Sequence, residues 1–455
     1  MENSINKKDK HILNSLVSLS LPTMIGMMLQ SVYDVVDMYW VGKISKEAIS
    51  AITLFTTILW IFEVFNEIIG ISSVSMISQA VGRRDYDMKE KICEQTLVFK
   101  FLIGILTAIL MYIFIEPILL LYTKDTEVLN LALEYGHLRI LFIPIMFTSF
   151  SVNTVFRCTG DTKTPMIIMI ITAILNMILD PFFMFYDLPF VTIKGLNMGV
   201  YGAAIATILS TFLSATIGFI ILLKGTHTIK IKFKNLFRLI PSIDKNLILI
   251  GIPGGMEVFV KFLFEAIMVK FIATYGIAAL TAAGIANKIY SLSVLPMRGL
   301  MMGGSILLGN FLGEEDIESA NNTAKISGKL NGLIMFIFTM ACFIFSKNLI
   351  GFFSTDKEVI HLGSWLLASS STFATLLGVS SGIGISFLGS GHNKPLLITA
   401  ITTQWIIQIP LMFLIVIILK IPAQYAWFTY IPTDLITFIM TYYFYKKGDW
   451  MYKRV

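Results

Sequence analysis

Charge is what this chain has least of: only 14% of its 455 residues are Asp, Glu, Lys or Arg. A soluble domain carries about 25%, so this chain cannot build an ordinary polar surface. Cysteine is scarcer still. Cys93, Cys158 and Cys342 are scattered, which excludes both a disulfide framework and thiolate zinc spacing. There is no phosphate-binding Gly-rich loop ending in Lys-Ser/Thr, and no Ser, His and Asp in a triad order. ATP hydrolysis and covalent catalysis therefore have no residues to work with; neither an enzyme nor a bound cofactor is expected. The weak ten-residue alternation of a transmembrane barrel is also missing. The opening MENSINKKDKH is polar and basic, and the apolar stretch after it is too long for the core of a signal peptide, so no cleavable leader is expected.

What remains is apolar. Hydrophobic residues make up 56% of the chain, and the mean hydropathy is +0.77. Runs of about twenty apolar residues recur along the whole length, each long enough to cross a bilayer as a helix. The reading is an all-α polytopic membrane protein with twelve spans, near 14–41, 48–80, 94–115, 130–156, 164–186, 199–223, 246–273, 279–310, 323–346, 360–388, 396–419 and 423–445. Lys and Arg crowd one side: Lys7, Lys8, Lys10, Arg83, Arg84, Lys89, Lys91, Arg157, Lys163, the run from Lys224 to Lys245, Lys394, and the tail from Lys446 to Arg454. Basic loops stay inside, so both termini are expected in the cytoplasm and the protein in the cell membrane. The net charge of +6 is this loop bias and not a nucleic-acid footprint.

The chain repeats itself. VGRRD at 81–85 matches LGEED at 312–316, YTKDTEV at 122–128 matches FSTDKEV at 353–359, and Pro22 matches Pro253, all at an offset of 231. FRCTGDTKTP at 156–165 matches FLGSGHNKP from 387 at the same offset until one residue is lost. Six spans per half is an even number, so both halves enter the membrane the same way, as a parallel repeat. The expected organisation is an N-terminal lobe over 1–224, a basic cytoplasmic linker over 225–245 and a C-terminal lobe over 246–455. The linker is either a plain connector or a strip lying on an anionic leaflet. Two such lobes are the architecture of a carrier that rocks between two openings; no filter-like loop suggests a channel.

Acids inside the spans carry the chemistry. Gln30, Asp34 and Asp37 in PTMIGMMLQSVYDVVDMYWVG share one helical face. A charge at bilayer depth costs about 2.5–3.5 kcal/mol on insertion scales, which is why intramembrane acids mark function by default. Asn176 and Asp180 share a face of the fifth span, just before Pro181. Together with Thr207 they could make an oxygen-rich pocket, in which two close carboxylates cannot both be ionised cheaply. Such a pocket suits a proton, and Asp37, Asp180 and Asn176 could equally hold Na⁺, a hard cation. Elsewhere, Glu257, Lys261 and Glu265 form a stripe in the seventh span, either a self-neutralising ladder or a contact for a cationic substrate. Glu63 and Glu67 in the second span, and Lys288 and Arg298 in the eighth, which could pair with them, are candidate cavity residues. At the repeat offset Asp37 becomes Met268, and Ile409 stands near the place of Asp180, so ion coupling is expected in the first half.

These residues resemble those of the multidrug and toxic compound extrusion (MATE) transporters. LPTMIGMMLQSVYDVVDMYWVG, the GRRD turn, RCTGDTKTP, LNMILDP and VYGAAIAT occur in that family's order, and the likeness covers nearly the whole chain. It looks closest to the DinF-like branch. The resemblance implies a proton-linked aspartate at Asp37, with Gln30, Asn176, Asp180 and Thr207 around it, and a central cleft lined by the second and eighth spans. Asp34 stands where relatives tend to carry Asn. The sodium-linked branch tends to place an acid at about the Lys261 position and another in the tenth span; here the first is Lys and the tenth span has no acid. The implied activity is antiport: export of organic cations or amphipathic compounds in exchange for H⁺ or Na⁺ by alternating access, by a monomer in the bilayer. The alternative is a flippase or exporter of a lipid-linked or polyanionic substrate, against which the acid-lined cleft argues.

Overall fold

A computed structural model describes residues 2–187, 194–371 and 373–455, with side chains described except for 2–6, 370 and 371. The regular structure of the described chain is helical, apart from a single bridge between Asp187 and Lys194. The first half comprises α1 (Glu2–Gly42), α2 (Lys46–Phe62), α3 (Val64–Gly82), α4 (Tyr86–Tyr122), α5 (Thr126–Leu141), α6 (Ile143–Cys158), α7 (Lys163–Met184) and α8 (Gly199–Lys224). The second comprises α9 (Pro241–Ala273), α10 (Ile277–Gly313), α11 (Ile317–Gly351), α12 (Lys357–Ser371), α13 (Ala374–Ser390), α14 (Lys394–Ala400), α15 (Ile409–Phe413), α16 (Ala423–Ala426) and α17 (Tyr430–Lys447). Wide π turns at Ile401–Gln408 and Leu414–Ile418 make α14 and α15 one continuous rod.

Among the described residues nine helices are long and apolar enough to cross a membrane, and eleven spans result if each of two bent pairs counts as one. Eleven of the twelve expected spans are thus accounted for. The last, 423–445, is broken into Ala423–Ala426, Trp427–Thr429 and Tyr430–Lys447 and does not meet the same standard of length and hydropathy. The second expected span is itself split, because the chain breaks at Glu63 between α2 and α3.

The repeat is visible in backbone detail. Arg84 and Glu315, 231 residues apart, both take left-handed conformations, φ 57° and 61°. Such values are rare without glycine and mark a tight, specified turn. The next residues, Asp85 and Asp316, cap α4 and α11 by accepting from the Met88 and Ser319 amides at 3.0 and 2.9 Å. Asp125 and Asp356, again 231 apart, cap α5 and α12. Breaks at Phe142 and Phe373 bend the fourth and tenth spans by 54° and 50°. In the first, Pro144 has no amide hydrogen for the Ile140 carbonyl, and the Phe142 amide tightens the end of α5 by donating to Arg139 and Ile140.

The chain divides into two compact units: Ile25–Ser73 with Arg84–Leu249, and Met1–Met24 with Val74–Arg83 and Ile250–Val455. In the first, buried Phe55, Met111, Phe147 and Tyr135 form a common core. Lipid is as apolar as Leu, so helices here are held by close packing and not by escape from water. Gly104 and Gly136 permit it: a Cβ at either would lie 2.7 Å from Pro144 Cα or the Phe55 ring. The linker is tied to α4. Glu94 accepts from the Lys232 amide and Asn235 Nδ2 at 3.0–3.1 Å, and Gln95 bonds the Arg238 carbonyl and Ile240 amide at 2.8 and 3.0 Å. In the second unit, Trp427 and Trp450 anchor separate cores. Gly82 and Gly313 let α3 and α10 touch backbone to backbone, where a Cβ would overlap the carbonyls of Asn310 and Gln79.

Candidate functional site

The first unit brings polar side chains of three helices, α1, α5 and α7, within electrostatic reach of one another. Asp180 of α7 is fully buried, and neither carboxylate oxygen has a hydrogen-bond partner among the described residues. Asn176, one turn earlier, is 2% exposed with its amide nitrogen and oxygen both unpartnered. Asp37 of α1 brings a third such group, its Oδ1. Asp37 and Asp180 lie within electrostatic reach of each other, and Asp34 of Asp37. Tyr135 of α5 senses all three acids. A native interior seldom leaves so many polar atoms unsatisfied, and each such atom costs about 1–3 kcal/mol. Here they converge.

The other expected members are less closely joined. Thr207 of α8 is buried but spends its hydroxyl proton on the Ala203 carbonyl at 3.0 Å, leaving only acceptor capacity. Gln30 is half-buried with no hydrogen bond to the acids. Asp34 is exposed and has an interaction of its own. Glu63, at the α2–α3 break, and Glu67 of α3 face Lys100 of α4, a 2%-exposed lysine whose ammonium approaches within 3.2 Å of the space above Gly70. Glu67 accepts from Asn66 at 3.4 Å.

In the second unit Glu257 and Lys261 form an ion pair, and Lys261 and Arg298 are the cations nearest Glu265. Lys288 and Arg298 are exposed on α10. Met268, which stands at the repeat position of Asp37, is packed among Phe264, Met412 and Val416, so the two units differ chemically at that point.

Three charged residues were not foreseen. Arg139 ends α5 and faces Asp37, Tyr33 and Glu63; Lys100 is described above. Asp434 of α17 is 7% exposed, near Tyr290 and Tyr430. All three lie inside expected spans, and that position was the available signal. Among the described residues no group of three or more His, Cys, Asp or Glu could hold a metal ion.

An all-helical chain with this many apolar spans, an internal parallel repeat and unsatisfied intramembrane acids at Asp37 and Asp180 defines a polytopic membrane protein of the repeat-carrier class. The chain belongs to the MatE family, whose model matches it twice, over residues 22–182 and 253–414, with starts 231 residues apart. It is similar to a probable multidrug resistance protein, YoeA, of Bacillus subtilis, 26% identical over 99% of this chain and 96% of that one. It is also similar to the probable multidrug resistance protein NorM of Thermotoga maritima, 25% identical over 96% and 93% of the two chains. The multidrug export protein MepA of Staphylococcus haemolyticus is 24% identical over 90% and 88%. Among solved structures, a MOP superfamily transporter from Pyrococcus furiosus superposes with TM-score 0.87, 21% identity and 95% coverage of each chain. The Vibrio cholerae MATE transporter VcmN superposes with TM-score 0.89, 17% identity and coverage of 98% and 100%. The fold is theirs.

Proposed function

We propose that the protein is a secondary antiporter of the cell membrane that exports organic cations or amphipathic compounds in exchange for H⁺ or Na⁺. The carrying observation is Asp180: a fully buried carboxyl with no partner for either oxygen, facing Asp37 and beside the unsatisfied amide of Asn176. A purely structural acid would be hydrogen-bonded; this one is set up to receive a small cation from outside the fold. Its relatives' names support drugs as cargo, and Glu63 and Glu67 suit a cationic one. Export follows if the loaded and empty pockets favour different states of the carrier, because an ion can shift only an equilibrium whose two states it binds differently. Both termini lie in the cytoplasm on the charge rule.

Asp37→Asn should abolish both drug resistance in cells and ion-driven dye efflux from proteoliposomes, with expression unchanged. Full efflux in that variant would remove Asp37 from the mechanism.

A further inference from the structure

The linker between the two repeats lies where the hydrocarbon of the membrane ends. α4 has 37 residues, about 55 Å of helix against a hydrocarbon core of about 30 Å, so its charged first turns stand outside that core. The passage comes at Glu94 and Gln95, ahead of the run 96–115, whose one charge is the buried Lys100. α9 makes the same passage at Lys245 and Asn246, just before Leu247. Glu94 and Gln95 are also the side chains that hold the linker, and Lys89 adds a bond to the Thr228 carbonyl at 2.6 Å. With Ile229 and Ile231 buried, one side of the linker is fixed and the other is presented at headgroup depth.

That outer side is amphipathic. Phe233 and Phe237 are 57% and 79% exposed and meet edge to face, ring centres 5.3 Å apart. Over 224–245 there are six Lys or Arg and one acid, Asp244. Of the acids on the first turns of α4, Glu94 is turned to the linker's donors, Asp87 is paired with Lys91, and Glu90 stands 4.0 Å from Lys232. The patch therefore stays positive. Where the linker enters α9 there is a groove of about 410 Å³, walled by Phe99 of α4, Leu239, Ile248 and Leu249, with Asp244 and Lys245 also lining it. Asp244 is 7% exposed, and its Oδ1 has no hydrogen-bond partner among the described residues.

We propose that the groove and the linker bind one anionic glycerophospholipid of the adjoining leaflet, the cytoplasmic one on the charge rule, and that its headgroup carries a hydroxyl. An acyl chain lies against Phe99, Ile248 and Leu249, the phosphodiester meets Lys245 and Arg238, and the headgroup hydroxyl donates to Asp244 Oδ1. Each part of the ligand answers one feature. The apolar groove opens at the depth of acyl chains, and the cations select a net negative charge. Asp244 would repel a bare phosphate, whereas a donor beside the phosphate meets its free oxygen. Phosphatidylcholine has neither net charge nor donor, and phosphatidylethanolamine has the donor without the net charge. The site is independent of the ion and cargo proposed above.

The test titrates the intact, delipidated chain in detergent with dioleoyl phosphatidylglycerol, phosphatidylmethanol (the same charge without a hydroxyl), phosphatidylethanolamine or phosphatidylcholine. Bound lipid is counted by native mass spectrometry, and tryptic cleavage at Lys230 to Arg238 is followed in parallel. One phosphatidylglycerol should bind about tenfold tighter than phosphatidylmethanol, because a hydrogen bond to a charged group is at stake. It should bind tighter still than the two lipids without net charge, and it should slow trypsin. The triple variant Lys234→Gln, Arg238→Gln, Lys245→Gln should lose about fivefold per cation, about a hundredfold in all, with the melting temperature unchanged. Leu249→Trp, which fills the groove from an exposed position, should weaken binding without altering charge. Wild type that binds phosphatidylcholine or phosphatidylethanolamine as tightly as phosphatidylglycerol overturns the proposal even if every variant misfolds. Displacement of the lipid by millimolar glycerol 3-phosphate also overturns it, because the acyl chain would then contribute nothing. Equal binding of phosphatidylglycerol and phosphatidylmethanol overturns the headgroup assignment. A folded triple variant that keeps wild-type affinity overturns the role of the cations.

Discussion

Replacing Asp180 with Asn should make the protein more stable and useless as a pump. The carboxyl is fully buried, and no donor reaches either oxygen. An ionised carboxylate in such a place carries an effective penalty of several kcal/mol. The amide keeps the shape and bears only its own missing hydrogen bonds, about 1–3 kcal/mol. The difference, about 2 kcal/mol, should appear as a rise in melting temperature of a few degrees, given about 2–4 °C per kcal/mol for chains about half this length and less for longer ones. Thermal unfolding of the solubilised protein at alkaline pH, where an unpaired carboxyl is charged, gives the shift. Efflux gives the other half. A one-unit pH gradient supplies about 1.4 kcal/mol per proton and can sustain about a tenfold substrate gradient; the variant should sustain none. A melting temperature several degrees below wild type, with efflux intact, would mean that Asp180 is a structural acid and that the reasoning from its missing partners is wrong.

Gly82→Ala should cost about 1–3 kcal/mol, because its Cβ would overlap the Asn310 carbonyl and force two backbones apart; Gly284→Ala, with nothing within 4 Å, should not lower the melting temperature. Asp316 feels burial, which would raise its carboxyl, but bonds from Ser319 and the charge of Lys8, 3.4 Å away, win and hold it below the usual carboxylate range. Its contribution is therefore present above the unfolded-state value of about 4 and is lost as pH falls through the lower folded value. Asp316→Asn should accordingly lower the melting temperature at pH 7 and have progressively less effect in acid. Gln95→Ala removes two bonds to the linker, together about 2 kcal/mol, so trypsin should cut at Lys230, Lys232, Lys234 or Arg238 about thirtyfold faster. An unchanged cleavage rate would mean that the linker is held elsewhere.

Much of the architecture was legible because the membrane imposes one rule: spans must be helical and apolar over about twenty residues. The repeat was legible because turns need particular residues; Asp85 and Asp316, or Gly160 and Gly391 with φ 94° and 75°, recur where a cap or a left-handed turn demands them. The bend at Phe142 is announced by Pro144. Its partner at Phe373 is not, because Thr375 stands at the matching position. The final expected span looked continuous in sequence, yet it breaks at Trp427, a fully buried ring in the core with Ile289 and Leu367. The convergence of Asn176, Asp180 and Asp37 followed from helical spacing together with family resemblance. Arg139 and Lys100 did not stand out, since a lone basic residue near the end of a span reads as one that reaches for the surface. Only the fold shows that both turn toward acids instead.

The most direct measurement is proton release on substrate binding, followed with a pH indicator in weakly buffered, detergent-solubilised protein. A cationic dye added to wild type should expel a proton from the Asp37–Asp180 pocket, and the double variant Asp37→Asn, Asp180→Asn should bind the dye and release none. Equal release from both proteins would place the exchanging group elsewhere and contradict the account.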